Sequence, residues 1–182
     1  MPKKLTPEQI ESYHHDGFCF PIKGISQEHA ASARAALETY EDCLGAPLTA
    51  AGREERYKLH VRLPWACNLV RDAAILDAVE DIIGPNIFVW TSTFFIKEPN
   101  TTAITMWHQD ATYFGLRPHQ HITAWIALSE ASETAGCMEF VPEDGAARLF
   151  QHKANGSELA SHCLLYTSDA ADEGLGVDLG GR

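Results

Sequence analysis

Residues 106–110 read Met-Trp-His-Gln-Asp, and this stretch decides how the rest of the chain is interpreted. It places His108 and Asp110 two positions apart in an apolar, β-prone segment. Side chains at i and i+2 of an extended chain point to the same side, so this imidazole and carboxylate can converge on one metal ion. A second histidine from a distant strand would complete the 2-His-1-carboxylate site that binds Fe(II) and leaves other positions open. The pair alone is weak evidence, because a histidine beside an aspartate also arises by chance.

Length and composition indicate one soluble globular domain. The chain has 182 residues, of which 45% are hydrophobic and 21% charged,. Its net charge of −11 argues against a nucleic-acid partner or an anionic membrane surface,. We expect a cytoplasmic protein, because no apolar run reaches membrane-spanning length and no signal-peptide core follows the first residues. The five cysteines form no C-x-x-C pair, which argues against a disulfide framework or a thiolate zinc site,.

The first half of the chain is predicted to be mainly helical. Thr6 and Ser26 are suitable N-caps, and Gly17 and Gly45 are suitable helix ends, for helices before residue 17 and from 26 to about 44. Apolar residues at helical spacing predict a third helix from about 71 to 83. Short strands are expected at 18–22 and 59–63, and residues 46–58 are interpreted as a connection rather than a lid.

From residue 87 onward, β-branched and aromatic residues dominate. This composition predicts a long strand at 87–97 and further strands at 103–108, 122–128 and 137–141, with turn residues between them. Helices followed by strands indicate an α+β protein whose sheet folds over itself.

The last twenty residues match nothing before them. Residues 163–182 include Cys-Leu-Leu-Tyr-Thr-Ser-Asp-Ala-Ala-Asp-Glu and resemble a sequencing-library adapter translated in frame. We therefore predict that residues 1–162 are native and 163–182 are not, and we exclude the tail from fold reasoning. A genuine Gly/Asp-rich tail is the alternative.

Several stretches together resemble one family. They are Leu-Thr-Pro-Glu-Gln-Ile at 5–10, Phe-Ile-Lys-Glu-Pro at 95–99, Trp-His-Gln-Asp-Ala-Thr-Tyr at 107–113, Ile-Thr-Ala-Trp-Ile-Ala-Leu at 122–128 and Gly-Cys-Met-Glu-Phe-Val-Pro at 136–142. Over about residues 5–150 the chain resembles the phytanoyl-CoA dioxygenase family of Fe(II)- and 2-oxoglutarate-dependent oxygenases. This combination is far more specific than the His-x-Asp pair alone.

The resemblance implies a double-stranded β-helix (a cupin-like jelly roll) with N-terminal helices packed outside and its C-terminal part incomplete. It makes residues 1–162 the N-terminal part of a single oxygenase domain. It also implies that O₂ and 2-oxoglutarate are consumed in hydroxylating a small organic substrate. Halogenation is disfavoured, because relatives that halogenate carry a small residue where Asp110 stands.

The same resemblance suggests roles for individual residues. By motif match, His108 and Asp110 are the iron ligands. The cosubstrate pocket would be lined by Trp125 and Thr123 on the strand after the motif, with Lys97, Thr91 and Thr93 as weaker candidates. On the substrate side, Tyr113 follows the metal motif, and the pair His60 and Arg62 is a further candidate from its β-like spacing.

The chain also departs from the family pattern. Pro142 is followed by Glu-Asp-Gly instead of Gly-Ser-His. The family's distal histidine and carboxylate-binding arginine lie further along the chain, and His152 and His162 come too early. After Pro142 the only arginines are Arg148 and Arg182. We therefore expect the third ligand and the arginine clamp to lie beyond the native sequence, and the 182-residue chain to be an inactive fragment of an active enzyme.

Two other classes of protein stay open. One is a non-catalytic cupin-like binding module in which the His-x-Asp pair is a relic, and the other is a different jelly-roll metalloprotein such as an isomerase. Several polar residues are expected to face solvent rather than a metal: His14, His15, His119, His121 and Glu139.

Overall fold

Most of the helices precede the His108-Gln109-Asp110 motif, as the sequence predicts, and one short helix follows it directly. The computed structural model describes residues 1–101, 105, 107–118, 120–143 and 145, with the backbone of three further two-residue strands. No helix in this described part is both long and apolar enough to cross a membrane. The α-helices are α1 Pro7–Asp16, α2 Gln27–Leu44, α3 Arg53–Arg56, α4 Pro64–Val70, α5 Ala73–Ile83 and α6 Ala111–Phe114; 3-10 turns lie at Leu48–Ala50, Leu59–Val61 and Glu133–Ala135.

The ends of the first two helices follow their capping residues. The Thr6 hydroxyl accepts a hydrogen bond from the Gln9 backbone N–H (3.2 Å), and the Gln9 side chain accepts one from the Thr6 N–H (2.9 Å). This reciprocal capping box satisfies two N–H groups that the helix leaves without internal partners. The Ser26 hydroxyl caps α2 by accepting from His29 N–H at 3.0 Å. Gly17 ends α1 with φ 86°.

Between residues 59 and 83, one local prediction was wrong and one was incomplete. Residues 59–63 were expected to form a strand, but Leu59–Val61 is a 3-10 turn that leads into α4. Lys58 precedes it with φ 55°, a left-handed conformation that interrupts an extended chain,. The third helix, expected from about residue 71 to 83, is confirmed as α5, but the separate helix α4 directly before it was not predicted. The Asp72 carboxylate accepts from Ala74 N–H at 2.9 Å, and this cap starts α5 separately from α4,.

The segment 46–58 is attached to the body of the protein at both ends. Near its start, Leu48 is only 1% exposed. At its end, the Lys58 N–H donates to the Ser92 carbonyl at 2.8 Å, and Tyr57 pairs with Thr93 in an isolated antiparallel bridge. These contacts fix both ends of the segment, and its interpretation as a connection stays a prediction.

Regular strand is sparse in the described residues. Of the predicted strands, 122–128 contains β1, Thr123–Ala124, whereas 18–22, 87–97 and 137–141 form no named strand. The expected strand at 103–108 lies partly outside the described residues. A strand is defined by hydrogen bonds to a neighbour, so a β-prone sequence becomes one only where a partner lies beside it.

Three short strands follow in the chain: β2 Lys153–Ala154, β3 Leu164–Leu165 and β4 Val177–Asp178. Strand β1 pairs antiparallel with β4, and β2 pairs antiparallel with β3. In the first pair Thr123 lies opposite Asp178, and in the second Lys153 lies opposite Leu165. That residues 163–182 are adapter-encoded stays a prediction, because backbone pairing carries no information about the origin of a segment.

The buried residues form two clusters. The Leu59 cluster contains Leu37, Leu48, Leu59 and Ala66, with Phe94 and Ile96 among the side chains packed against it. The Tyr13 cluster contains Tyr13 and Cys19, with Ile22, Ile82 and Ile122 packed against it. The second cluster brings α1 and α5 against the residue that immediately precedes β1. The helices therefore support the strand that carries Thr123.

A second connection joins the end of α1 to the segment after residue 139. The rings of Phe18 and Phe140 stack with centroids 4.9 Å apart. Beyond them, Glu143 N–H donates to the Asp16 carbonyl at 2.8 Å, and Gly145 N–H donates to the His15 carbonyl at 2.9 Å. These contacts hold the end of α1 against Phe140 and the residues Glu143 and Gly145 that follow the run at 136–142.

The N-terminal segment is held by a single carboxylate. Asp81, near the end of α5, accepts hydrogen bonds from the backbone N–H groups of Lys3, Lys4 and Leu5 at 2.7, 2.7 and 2.8 Å. Burial alone would raise the pKa of Asp81, but the three N–H donors outweigh it and hold this pKa below the ordinary value of 3.8,.

We expect Asp81→Asn to lower the free energy of unfolding at neutral pH by about 1 kcal/mol, because the amide offers one weaker acceptor in place of two charged oxygens. Since the folded-state pKa is depressed, the stabilisation is present above pH 3.8 and is lost as the pH falls through the folded-state pKa,. Urea unfolding at several pH values should therefore show that the free energies of unfolding of wild type and variant converge in acid.

Asp77→Asn, which alters only an exposed 3.7 Å ion pair with Lys3, is the matched control and should have a much smaller effect on the free energy of unfolding,. An equal effect of both variants would contradict the role of Asp81.

Candidate metal centre

His108 and Asp110 converge, as their spacing predicts. His108 Nε2 lies 3.5 Å from Asp110 Oδ1, and the two side chains are 23% and 15% exposed. The backbone route differs from the predicted one, because Asp110 has helical dihedrals (φ −55°, ψ −34°) at the start of α6. Bonds from a first-row metal such as zinc to imidazole nitrogen or carboxylate oxygen are about 2.0–2.2 Å long, so both atoms are within reach of one ion.

The second carboxylate oxygen of Asp110 has its own partner. Thr123 Oγ1, on β1, donates a hydrogen bond to Asp110 Oδ2. Burial alone would raise the pKa of Asp110, but the hydrogen bonds from His108 and Thr123 and the charges of His108 and His121 outweigh it, and this pKa lies below its ordinary value,. The carboxylate is therefore ionised at neutral pH, which is the form that binds a metal.

His121 was expected to face solvent in a turn, and this prediction was wrong. The side chain is only 8% exposed, and its ring meets Phe114 of α6 edge-on with centroids 5.2 Å apart. It lies near enough to Asp110 to lower the pKa of that carboxyl. A signal was present in the sequence, because His121, Thr123 and Trp125 alternate with period two and share one face of an extended segment.

The residues predicted to line the cosubstrate pocket lie in two segments. Thr123 and Trp125 are half-buried around β1, while Thr91, Thr93 and Lys97 are half-buried in the long segment after α5. Lys97 Nζ donates to the Gly136 carbonyl at 3.2 Å, which holds the ammonium against the turn before residue 137. The structure thus links Lys97 to the family-like stretch at 136–142, and Thr123 to Asp110.

The predicted substrate-side residues are placed differently from one another. His60 is half-buried, and its Nδ1 lies 2.6 Å from the Ser92 hydroxyl. Burial, and secondly the charge of Lys58, lower the pKa of His60. Arg62 is exposed, so the two members of the expected pair occupy different environments. The side chain of Tyr113 lies outside the described part of the chain.

Other predictions for polar residues had mixed outcomes. His14, His15 and Glu139 are exposed, which confirms that they face solvent, whereas His119, His152 and His162 lie outside the described residues. Among the described residues, no group of three or more His, Cys, Asp or Glu side chains is placed to hold a metal ion. What the described part offers is a two-donor site of one imidazole and one carboxylate, a donor set that suits Fe(II) and similar divalent metals.

Comparison with known proteins identifies the family. The family profile described as Phytanoyl-CoA dioxygenase (PhyH) matches residues 13–164. The chain belongs to the phytanoyl-CoA dioxygenase family. This confirms the resemblance carried by the motifs at 95–99, 107–113, 122–128 and 136–142.

Individual relatives agree with this family. The PhyH-family chain is 26% identical over 159 residues to an ectoine dioxygenase of Bordetella bronchiseptica (strain ATCC BAA-588 / NCTC 13252 / RB50), a match that covers 80% of this chain and 51% of the relative. It therefore spans about half the length of the curated relatives it matches.

Solved structures share the fold. The non-heme monooxygenase ThoJ, solved as a nickel complex, superposes with a TM-score of 0.69 at 30% identity, covering 94% of this chain and 67% of ThoJ. CytC3, solved with Fe(II) and alpha-ketoglutarate, superposes with a TM-score of 0.57 at 18% identity, covering 97% of this chain and 68% of CytC3. The chain therefore shares the fold of ThoJ and CytC3 over most of its own length.

Proposed function

We propose that this chain is part of an Fe(II)- and 2-oxoglutarate-dependent dioxygenase that hydroxylates a small organic substrate. The observation that carries the proposal is the convergence of His108 and Asp110, in a chain of the phytanoyl-CoA dioxygenase family. The depressed pKa of Asp110 supports it, because an ionised carboxylate beside an imidazole is a ready metal-binding pair. We further propose that the complete domain is a double-stranded β-helix with α1 to α5 packed outside it.

Within this proposal, each residue has a stated role. His108 and Asp110 would hold the metal, and Fe(II) with 2-oxoglutarate would supply the oxidising chemistry when bound. Trp125, Thr123, Lys97, Thr91 and Thr93 would shape the cosubstrate pocket and exclude water from it. His60, Arg62 and Tyr113 would face the substrate, and the lowered pKa of His60 favours a neutral imidazole there.

The proposal includes the inactivity of the 182-residue chain. Two protein ligands bind a divalent metal weakly and cannot enforce the arrangement that three ligands give. We propose that the third ligand and the arginine that binds the far carboxylate of 2-oxoglutarate belong to a longer natural protein. The 182-residue chain should then bind metal without turning over 2-oxoglutarate.

The test compares the 182-residue chain with the protein encoded by the source gene when it is read beyond codon 162. Both are incubated with Fe(II), ascorbate and 2-oxoglutarate, and succinate is measured. We expect succinate from the longer protein, and at most background from the shorter chain. Succinate from the 182-residue chain would contradict its inactivity. If the longer protein binds neither Fe(II) nor 2-oxoglutarate, the cupin-like binding module is favoured instead. If it binds Fe(II) but forms no succinate, another class of metalloenzyme is favoured.

A further inference from the structure

The two oxygens of the Asp110 carboxylate have different surroundings. Oδ1 faces His108 Nε2 at 3.5 Å, so it lies on the side where a shared metal would bind. Oδ2 accepts the hydrogen bond from Thr123 Oγ1. The two oxygens are chemically equivalent in a free carboxylate, so the difference between them here comes from their two neighbours, His108 on one side and Thr123 on the other.

Thr123 is well placed to hold this arrangement. It lies on β1, and the residue before it, Ile122, packs against the cluster of Tyr13 and Cys19. Because side chains alternate along an extended segment, Ile122 faces the helices and Thr123 faces the opposite side, toward Asp110. A threonine side chain is also restricted at χ1, so its hydroxyl loses little freedom when it makes the hydrogen bond.

We propose that Thr123 is a positioning residue that engages Oδ2 of Asp110 and leaves Oδ1 as the single metal-binding oxygen. A carboxylate can bind a metal through one oxygen or through both. The hydrogen bond at Oδ2 favours binding through one, which leaves more positions on the ion for other ligands. This inference rests on the proposed function and assigns to Thr123 a role on the metal ligand, beyond lining the cosubstrate pocket.

The experiment titrates the 182-residue chain with Co(II) as the probe, following both the affinity and the Co(II) visible absorption spectrum. Thr123→Val removes the hydroxyl while keeping the shape of the side chain, and Thr123→Ser keeps the hydroxyl. Hydrogen-bonding partners of metal ligands typically contribute about 10- to 100-fold to metal affinity. We therefore expect Thr123→Val to weaken Co(II) binding by about that factor and to change the spectrum, and Thr123→Ser to stay close to wild type. Ser129→Ala, which removes an exposed hydroxyl further along the same segment, is the matched control and should behave as wild type.

The outcomes separate this inference from the proposed function. If Thr123→Val keeps wild-type affinity and spectrum while Asp110→Ala loses binding, the metal site stands and the positioning role is overturned. If Thr123→Ser is impaired as much as Thr123→Val, the hydroxyl is not responsible and the role is again overturned. If wild type binds Co(II) no better than Asp110→Ala, both are overturned. Circular dichroism checks the fold of each variant, and Thr123→Ala serves as a second hydroxyl deletion if Thr123→Val does not fold.

Discussion

Replacing Asp110 with alanine is expected to lower the affinity of the chain for Fe(II) or Co(II) by about a hundredfold or more, since loss of a ligand exceeds loss of its hydrogen-bonding partner. The substitution removes a carboxylate that lies beside His108 and carries a negative charge at neutral pH. It also leaves the Thr123 hydroxyl without the acceptor that it has in the structure. Of the two donors, only the imidazole of His108 then remains.

The affinity can be measured by competition with a coloured chelator under anaerobic conditions. Glu139→Ala is the matched control, because Glu139 is an exposed carboxylate on the Gly-Cys-Met-Glu-Phe-Val-Pro run. It should leave the affinity unchanged. If the two variants bind equally well, Asp110 is not a ligand and the metal centre must be abandoned.

The second large effect is on stability. Leu59→Ala is expected to lower the free energy of unfolding by about 2–5 kcal/mol, because it removes buried methyl groups and leaves a cavity. Leu59 is fully buried (0% exposed) and lies in one cluster with Leu37 of α2, Leu48 and Ala66 of α4. A loss of this size is a large fraction of the total for a single domain, about 5–15 kcal/mol.

Denaturation by urea, followed by circular dichroism, measures this loss. Val61→Ala is the matched control two residues later, because Val61 is 69% exposed. Its effect should stay within about 0.5 kcal/mol, as for most surface substitutions. Equal destabilisation by the two variants would show that the Leu59 cluster is not the main support of the helices.

Local chemistry allowed the sequence to predict several helix ends. Thr6, Ser26 and Gly17 act through hydrogen bonds and dihedral angles within a few residues, and each is where the prediction placed it. At Asp72 the sequence did not reveal that two helices follow one another, with the Asp72 side chain capping the start of the second. Lys58 is a further case, since nothing in its residue type indicates a left-handed conformation.

Features that depend on contacts between distant parts of the chain were harder to predict from the sequence. The His-x-Asp pair was predictable because its two members are adjacent, although its backbone is partly helical rather than extended. The burial of His121 also depends on α6 placing Phe114 against the imidazole, and the period-two spacing of His121, Thr123 and Trp125 does not by itself predict that contact. Strand pairing likewise depends on partners far along the chain. Of the long segment 87–97, only Thr93 has a bridge partner in the described residues.

The two clusters have a consequence for synthesis on the ribosome. The described members of the Leu59 cluster lie between Leu37 and Ile96, so they are all synthesised before His108 and Asp110. The contact between Tyr13 and Ile122 can form only after residue 122 has been synthesised. The hydrogen bond from Glu143 N–H to the Asp16 carbonyl can form only after residue 143. Because N-terminal units fold first during translation, the helical base should form while the inner face of α1 is still partly uncovered. A nascent chain that stalls before residue 122 would expose that face to chaperones and proteases, with its first core cluster already assembled.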